Sequence, residues 1–312
     1  MRMRNWVEKY RNAVQNEELI GIVNVPGLPV GQVGAWSFLK LAFLWSYAYY
    51  TYTPIIGTRY ENMCYLDLFS GSGLNQFSDH SGNPHLILGS PLLMATIGGY
   101  AFKKCFFFEA EEKYAEALEE RLHRLKSSSF LTCTSYEIFG DCNKNIDRVI
   151  RELKAKDGCH FLLFVDPFST EIKWNTMEKL LKMRYPAFDL IFNFQPFGIN
   201  RKSYNFKTIS EFLGIKEHES WKHASDKVLD TLENTYIRKL KQYSEKIKRV
   251  ETIRIRSGTG SFYYDLIYAT RKSEAPWAGN IDHLKRMIER LTGYEVSIIF
   301  DPTIQPLDRH LT

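Results

Sequence analysis

Five short apolar runs in this chain each lead into small, acidic or turn-forming residues that could meet a ligand. Met63–Phe69 leads into Ser70-Gly71-Ser72-Gly73, with Asp67 just ahead of the glycines. Cys105–Phe108 leads into Glu109, and Tyr136–Phe139 into Gly140-Asp141. Phe161–Val165 leads into Asp166-Pro167-Phe168. Leu190–Phe194, with Asn193 near its end, leads into Gln195-Pro196-Phe197. Glycines after a strand let a ligand approach the backbone where a Cβ would block it. A carboxylate at Glu109 can accept both hydroxyls of a ribose. Asp141 is placed either to read an adenine amino group or to cap the helix that follows, and both readings stand. At Asp166 the proline prevents the run continuing as a central strand and throws the aspartate into a cleft mouth. A carboxylate held there can accept a proton or orient a lone pair. A plain Asp-Pro turn without chemistry is the other reading.

These residues share a site only if the runs are parallel strands of one sheet. The runs are nearly continuous in apolar residues and alternate with helical periodicity at Glu111–Lys126 and Asn143–Lys154, the pattern of a parallel sheet covered on both faces. In such a doubly wound α/β sheet, ligands bind beyond the carboxyl ends of the strands. Ahead of the sheet, Asn5–Leu19 reads as a helix, Gly21–Gly34 as a loop and Ala35–Tyr52 as a second helix. Ile209–Lys248 reads as a helical insertion. Val250–Arg256 and Ser261–Thr270 flank Ser257-Gly258-Thr259-Gly260 as a hairpin. A helix over Asn280–Leu291 precedes a tail.

Glu109 lies 36 residues beyond Gly73, against roughly 20 in a nicotinamide-type fingerprint. The excess falls in Asn75–Leu88, which reads as a loop, and the next helix starts at Ser90-Pro91, a cap followed by proline. A glycine loop that does not run straight into its helix argues against a pyrophosphate on a helix N-terminus, and so against NAD and FAD.

Together these positions resemble the S-adenosylmethionine-dependent methyltransferase fold, and within it the three-Cys-motif partner (TcmP) family. The resembling pieces run in family order from Ala35 to Arg271. They are the Trp36…Lys40 helix, Tyr65-Leu-Asp-Leu-Phe-Ser-Gly-Ser-Gly73, Gly89-Ser-Pro-Leu-Leu93, Gly140-Asp-Cys-Asn143, Phe164-Val-Asp-Pro-Phe168, Asn193-Phe194 and Phe262-Tyr-Tyr-Asp-Leu-Ile-Tyr-Ala269. Two departures are Ser72, where the family commonly has proline, and Ser169, where glycine usually follows Asp-Pro-Phe. The resemblance implies a methyltransferase-like Rossmann core with an antiparallel last strand. S-adenosylmethionine would be held by Asp67, Ser70, Gly71, Gly73, Glu109 and Asp141, with Asp166 and Phe168 on the catalytic, acceptor side. Asp166-Pro167-Phe168 is also similar, with one proline fewer, to the loop of amino methyltransferases that act on adenine or glutamine nitrogens. The expected organisation is an N-terminal helical segment (1–62), the core (63–271, with the insertion at 205–248) and a C-terminal helix and tail (272–312).

The chain has 312 residues, 44% hydrophobic and 25% charged, which excludes a disordered or collagen-like protein. Its 41 Lys+Arg against 36 Asp+Glu leave a net charge of +5, which permits a nucleic-acid partner without requiring one. Such a partner would meet the basic run Ile237–Arg256, whose other reading is a solvated helix face. A protein partner is the alternative expectation, with the chain as a non-catalytic donor-binding or regulatory subunit. A third reading is a nuclease with Asp141 and Asp166 as metal ligands. Five cysteines without a CxxC pair suggest neither zinc nor a disulfide framework, and point to a reducing cytoplasm. The eight histidines form no HxH or HxxxH pair, so no metal site is expected. Leu41–Thr58 carries no charge, yet its tyrosines, threonines and Pro54 suit a buried helix better than a membrane span.

Overall fold

Strand burial alternates between two apolar clusters, as a period of two demands of a sheet covered on both faces. In β1 (Asn62–Asp67), Met63 and Tyr65 join one cluster and Cys64 and Leu66 the other. The computed structural model describes every residue except 1–2, 100, 156–157, 184–186, 202–204, 216–227, 244–246, 261, 272–277 and 305–312. The remaining strands of the main sheet are β2 (Lys104–Phe108), β3 (Ser135–Phe139), β4 (Cys159–Val165), β5 (Ala187–Phe194), β6 (Arg249–Arg256) and β7 (Tyr263–Thr270). Their spatial order is β3-β2-β1-β4-β5-β7-β6. The first five are parallel, whereas β7 runs antiparallel to both β5 and β6. This is the doubly wound α/β sheet with an antiparallel last strand expected of a methyltransferase-like core.

Helices Met3–Val14, Ser37–Tyr47, Glu112–Ser127 and Gly293–Phe300 pack on one face. Helices Cys142–Lys154, Trp174–Leu181, Phe206–Leu213 and Val228–Tyr243 cover the other. The uncharged stretch after Lys40 is buried helix, as expected, and no helix among the described residues is long and apolar enough to cross a membrane. Within it, Ala48–Tyr52 widens into a π-turn just before Pro54. Proline has no N–H to give and its ring crowds the preceding turn, so a widened turn accommodates it.

Four sequence expectations are corrected. Asn5–Leu19 is not one helix: Met3–Val14 ends and a second helix, Glu17–Val23, restarts with the Asn16 side chain as its cap. Asn75–Leu88 is not a loop but a hairpin, Leu74–Ser78 against Pro84–Leu88, with Gly31–Gln32 added in parallel. The cap of the following helix is Gly89, with Ser90 already inside it. The tail beyond Asn280–Leu291 contains a helix, Gly293–Phe300, closed by a reciprocal capping box between Thr292 and Glu295. Ser261 and Lys246 lie outside the described residues, as do parts of the 205–248 insertion and of 272–312.

Candidate functional site

The parallel strands deliver their carboxyl ends to one edge of the sheet, and the expected residues gather there. Asp67 ends β1 fully buried. It accepts from the Tyr65 hydroxyl (3.1 Å), from the Phe69 amide (3.2 Å) and from the Ser90 hydroxyl. Burial pushes its carboxyl up to about 7 despite these donors, and the nearby Asp166 charge adds to the rise. Asp67 therefore braces the loop from beneath. Tyr65 was missed by sequence reasoning, although its place two residues earlier on the same strand face was a usable signal.

The glycine loop turns over Asp67. Gly71 and Gly73 take φ of 60° and 83°, the left-handed region that favours glycine. The two do different work. A Cβ on Gly73 would meet Leu118 Cδ1 at 2.9 Å and Leu92 Cγ at 3.0 Å, so that glycine serves the packing of the protein itself. A Cβ on Gly71 would meet nothing within 4 Å, so that the open side of the loop is at Gly71. The hairpin folds the chain back until the Gly89 amide donates to Gly73 O at 2.7 Å. The next helix thus starts beside the loop in space despite its separation in sequence.

Glu109, one residue beyond β2, leans over the loop. Its Oε2 accepts from the Gly71 amide and its Oε1 from the Glu111 amide, both at 2.8 Å. Half-burial raises its pKa, and the backbone donors oppose the rise. Each oxygen keeps a further lone pair for an incoming hydroxyl. Asp141 does cap the helix Cys142–Lys154: its Oδ1 accepts from the Asn143 amide at 2.8 Å. Ser70 is buried, with its amide on Phe108 O and its hydroxyl on Asp67 O. Open space at Gly71, a half-exposed carboxylate beside it and a second carboxylate at the next strand end suit a nucleoside with a vicinal diol.

Asp166 follows β4 at the same edge and is not a free carboxylate. Its Oδ2 accepts from Lys40 Nζ and its Oδ1 from Asn193 Nδ2, both at 2.5 Å. Asn193 is buried, and its Oδ1 has no hydrogen-bond partner. Lys40 comes from the helix Ser37–Tyr47, and sequence alone could not pair it with a residue 126 positions away. Phe168 is 79% exposed at the lip. Ser169 ties this loop down by donating to Gly198 O at 2.7 Å.

Asp141 and Asp166 stand three strand intervals apart in the order β3-β2-β1-β4, roughly 14 Å at ~4.8 Å per interval. One metal ion cannot bridge them, which removes the basis of the nuclease reading. The basic run is half helix and half strand, and much of it is committed. Lys239 is buried over the Trp174 ring. Arg249 pairs with Asp282 and Glu251, and Arg254 forms a two-pronged bond with buried Asp265. Arg238, Lys241 and Lys248 are exposed.

No protein-family model and no curated protein matches the chain. Among solved structures it is similar to cofactor-bound Rv0187 from MTB, at 13% identity and a TM-score of 0.41 over 83% of this chain and 90% of that one. It is also similar to a Klebsiella pneumoniae protein described as a proposed O-methyltransferase, at 12% identity and 0.41 over 81% and 89%. A third is protein LPL1258 from Legionella pneumophila, at 10% identity and 0.45 over 82% and 92%. Likenesses this distant speak to no ligand or reaction.

Proposed function

We propose that this protein binds S-adenosylmethionine and transfers its methyl group to a macromolecular acceptor, as a relative of the three-Cys-motif partner proteins. The observation that carries the reading is the pairing of Gly71, open on its outer side, with the Glu109 carboxylate that closes on its amide. Glu109 would take the ribose hydroxyls and Asp141 Oδ2, 3.9 Å from Lys144 Nζ, the adenine amine. Gly71 would give the donor room, while Asp67, Ser70 and Gly73 hold the loop in shape. The bound donor supplies a methyl group on a sulfonium, ready to leave with the bonding electrons going to sulfur. Asp166 stands on the acceptor side, where its carboxylate orients the accepting atom or takes its proton, with Phe168 as an exposed apolar wall. The net charge of +5 and the added helices favour nucleic acid or protein over a small molecule.

The second reading is a non-catalytic donor-binding subunit of another protein. It is favoured by the occupation of both Asp166 oxygens, by Lys40 and Asn193, which leaves neither oxygen without a donor. The experiment is a methyl-transfer screen over RNA, DNA and protein acceptors with radiolabelled donor, run with the parent and Asp166→Ala. The enzyme reading expects donor affinity within about twofold in the variant and a 10²–10⁴-fold loss of transfer. Transfer by the variant at the parental rate leaves Asp166 as a turn residue. No transfer by the parent to any acceptor supports the subunit reading.

A further inference from the structure

The main sheet has two outer strands, β6 and β3, and they are finished differently. An outer strand presents unpaired N–H and C=O groups to whatever lies beside it. At β6 the chain from Ala278 onward answers them: the Arg254 amide donates to Glu289 Oε1 at 3.3 Å, and Arg256 forms a bridge with Thr292. β3 has no such cover among the described residues. The Ser135 amide donates to Lys103 O, and Phe139 O accepts from the Glu109 amide, so Ser135, Glu137 and Phe139 turn their backbone groups to β2. Strand alternation then turns the N–H and C=O of Tyr136 and Ile138 outward, and no described residue bonds them.

A groove of about 570 Å³ lies along this edge. Ile138 lines it from the strand, and Ala115, Glu116, Glu119, Glu120 and His123 line it from the helix Glu112–Ser127. The three glutamates are three and four residues apart on one helix face. The Tyr136 hydroxyl donates to Glu119 Oε1 at 3.2 Å, and Arg124 pairs with Glu120. Three carboxylates against one arginine leave the groove acidic, which repels a phosphate backbone and attracts a cation. The opposite face of the edge has the other sign: the Arg148 guanidinium lies over the Phe139 ring at 5.0 Å. A strand laid along β3 continues both faces. Every second side chain enters the acidic groove, and those between meet the face that carries Arg148. Same-face residues of a strand are about 6.6–6.8 Å apart, close to the roughly 5–6 Å between neighbouring glutamates on the helix.

We infer that β3 is the docking edge for an extended segment of a partner protein, with lysine or arginine at alternate positions and uncharged or acidic residues between them. Main-chain bonds to Tyr136 and Ile138 hold the added strand, and the groove selects its side chains. The inference stands independently of the donor reading.

Fluorescence anisotropy at low salt tests it with three labelled ten-residue peptides: lysine alternating with threonine, glutamate alternating with threonine, and five lysines followed by five threonines. The alternating lysine peptide should bind about tenfold or more tighter than the glutamate peptide, as two or three surface ion pairs allow, and severalfold tighter than the block. Hydrogen exchange on the parent should slow at the Tyr136 and Ile138 amides when that peptide is bound, a readout that needs no variant. Ile138→Pro removes an outward N–H that β2 does not use, so the ladder survives, and the peptide should bind about tenfold more weakly. Glu116→Lys combined with Glu119→Lys, both exposed, should reverse the preference between the lysine and glutamate peptides. Equal affinity for the alternating and block lysine peptides would reduce the groove to diffuse attraction and overturn the inference. Unchanged exchange at Tyr136 and Ile138, a charge reversal without effect, or no binding of the alternating lysine peptide by the parent would each overturn it as well.

Discussion

Replacing Asp67 by asparagine tests whether a buried carboxyl braces the glycine loop. Asp67 is fully buried, takes three donors and has its carboxyl pushed from 3.8 up to about 7 by burial. A raised folded-state pKa means the folded chain binds the proton more tightly than the unfolded one. The stabilisation this provides is complete below about pH 4 and is lost as the pH rises through about 7. At about 1.36 kcal/mol per tenfold change in proton affinity, the step from 3.8 to about 7 amounts to up to ~4 kcal/mol. Asparagine keeps the shape, accepts the Phe69 amide through its oxygen, and lets the Tyr65 and Ser90 hydroxyls turn to accept from its nitrogen. It has no charge to bury. Urea denaturation of parent and Asp67→Asn should therefore be compared from pH 4 to pH 8. The difference between them cancels the other carboxyls that titrate in this range, among them Asp189, also raised by burial. The variant should gain on the parent as the pH rises, by up to about 4 kcal/mol. A difference that stays flat, or moves the other way, refutes the account of Asp67.

Glu109→Ala should weaken S-adenosylhomocysteine by about 1.5–3 kcal/mol for each charge-assisted hydrogen bond lost, measured by calorimetry. Glu109→Gln, which keeps an acceptor for the Gly71 amide, should lose less. If the exposed remainder of the basic run follows a phosphate backbone, binding of single-stranded RNA should weaken linearly in log salt, by about 0.7–0.9 per phosphate met. Neutralising Arg238, Lys241 and Lys248 together should then flatten that slope. Binding that is absent even at low salt, or a slope that the triple variant leaves unchanged, makes the run a solvated face.

The strands and their end residues were legible because burial on two faces writes a strand as a short apolar run, and the residues at its end then lie at the carboxyl edge of the sheet. Asp67, Glu109, Asp141 and Asp166 all lie where that logic puts them. What escaped depended on contacts distant in sequence. The hairpin after Gly73 is held by Gly31–Gln32 and by the return of Gly89 onto Gly73 O, so its own polar sequence reads as a loop. Lys40 reads as an interruption of an apolar helix until Asp166 is brought to it by the fold. The helix Gly293–Phe300 is a different case. Its Thr292…Glu295 capping signature stood in the sequence and was passed over.

The central claim is that the glycine loop and Glu109 form the nucleoside site of a methyl donor. The most direct measurement is a crystal structure grown with S-adenosylhomocysteine. The account predicts the ribose hydroxyls on the Glu109 carboxylate and the adenine toward Asp141. Density for the nucleoside anywhere else, or crystals that take up NAD with its pyrophosphate at Gly71 and exclude S-adenosylhomocysteine, would contradict it.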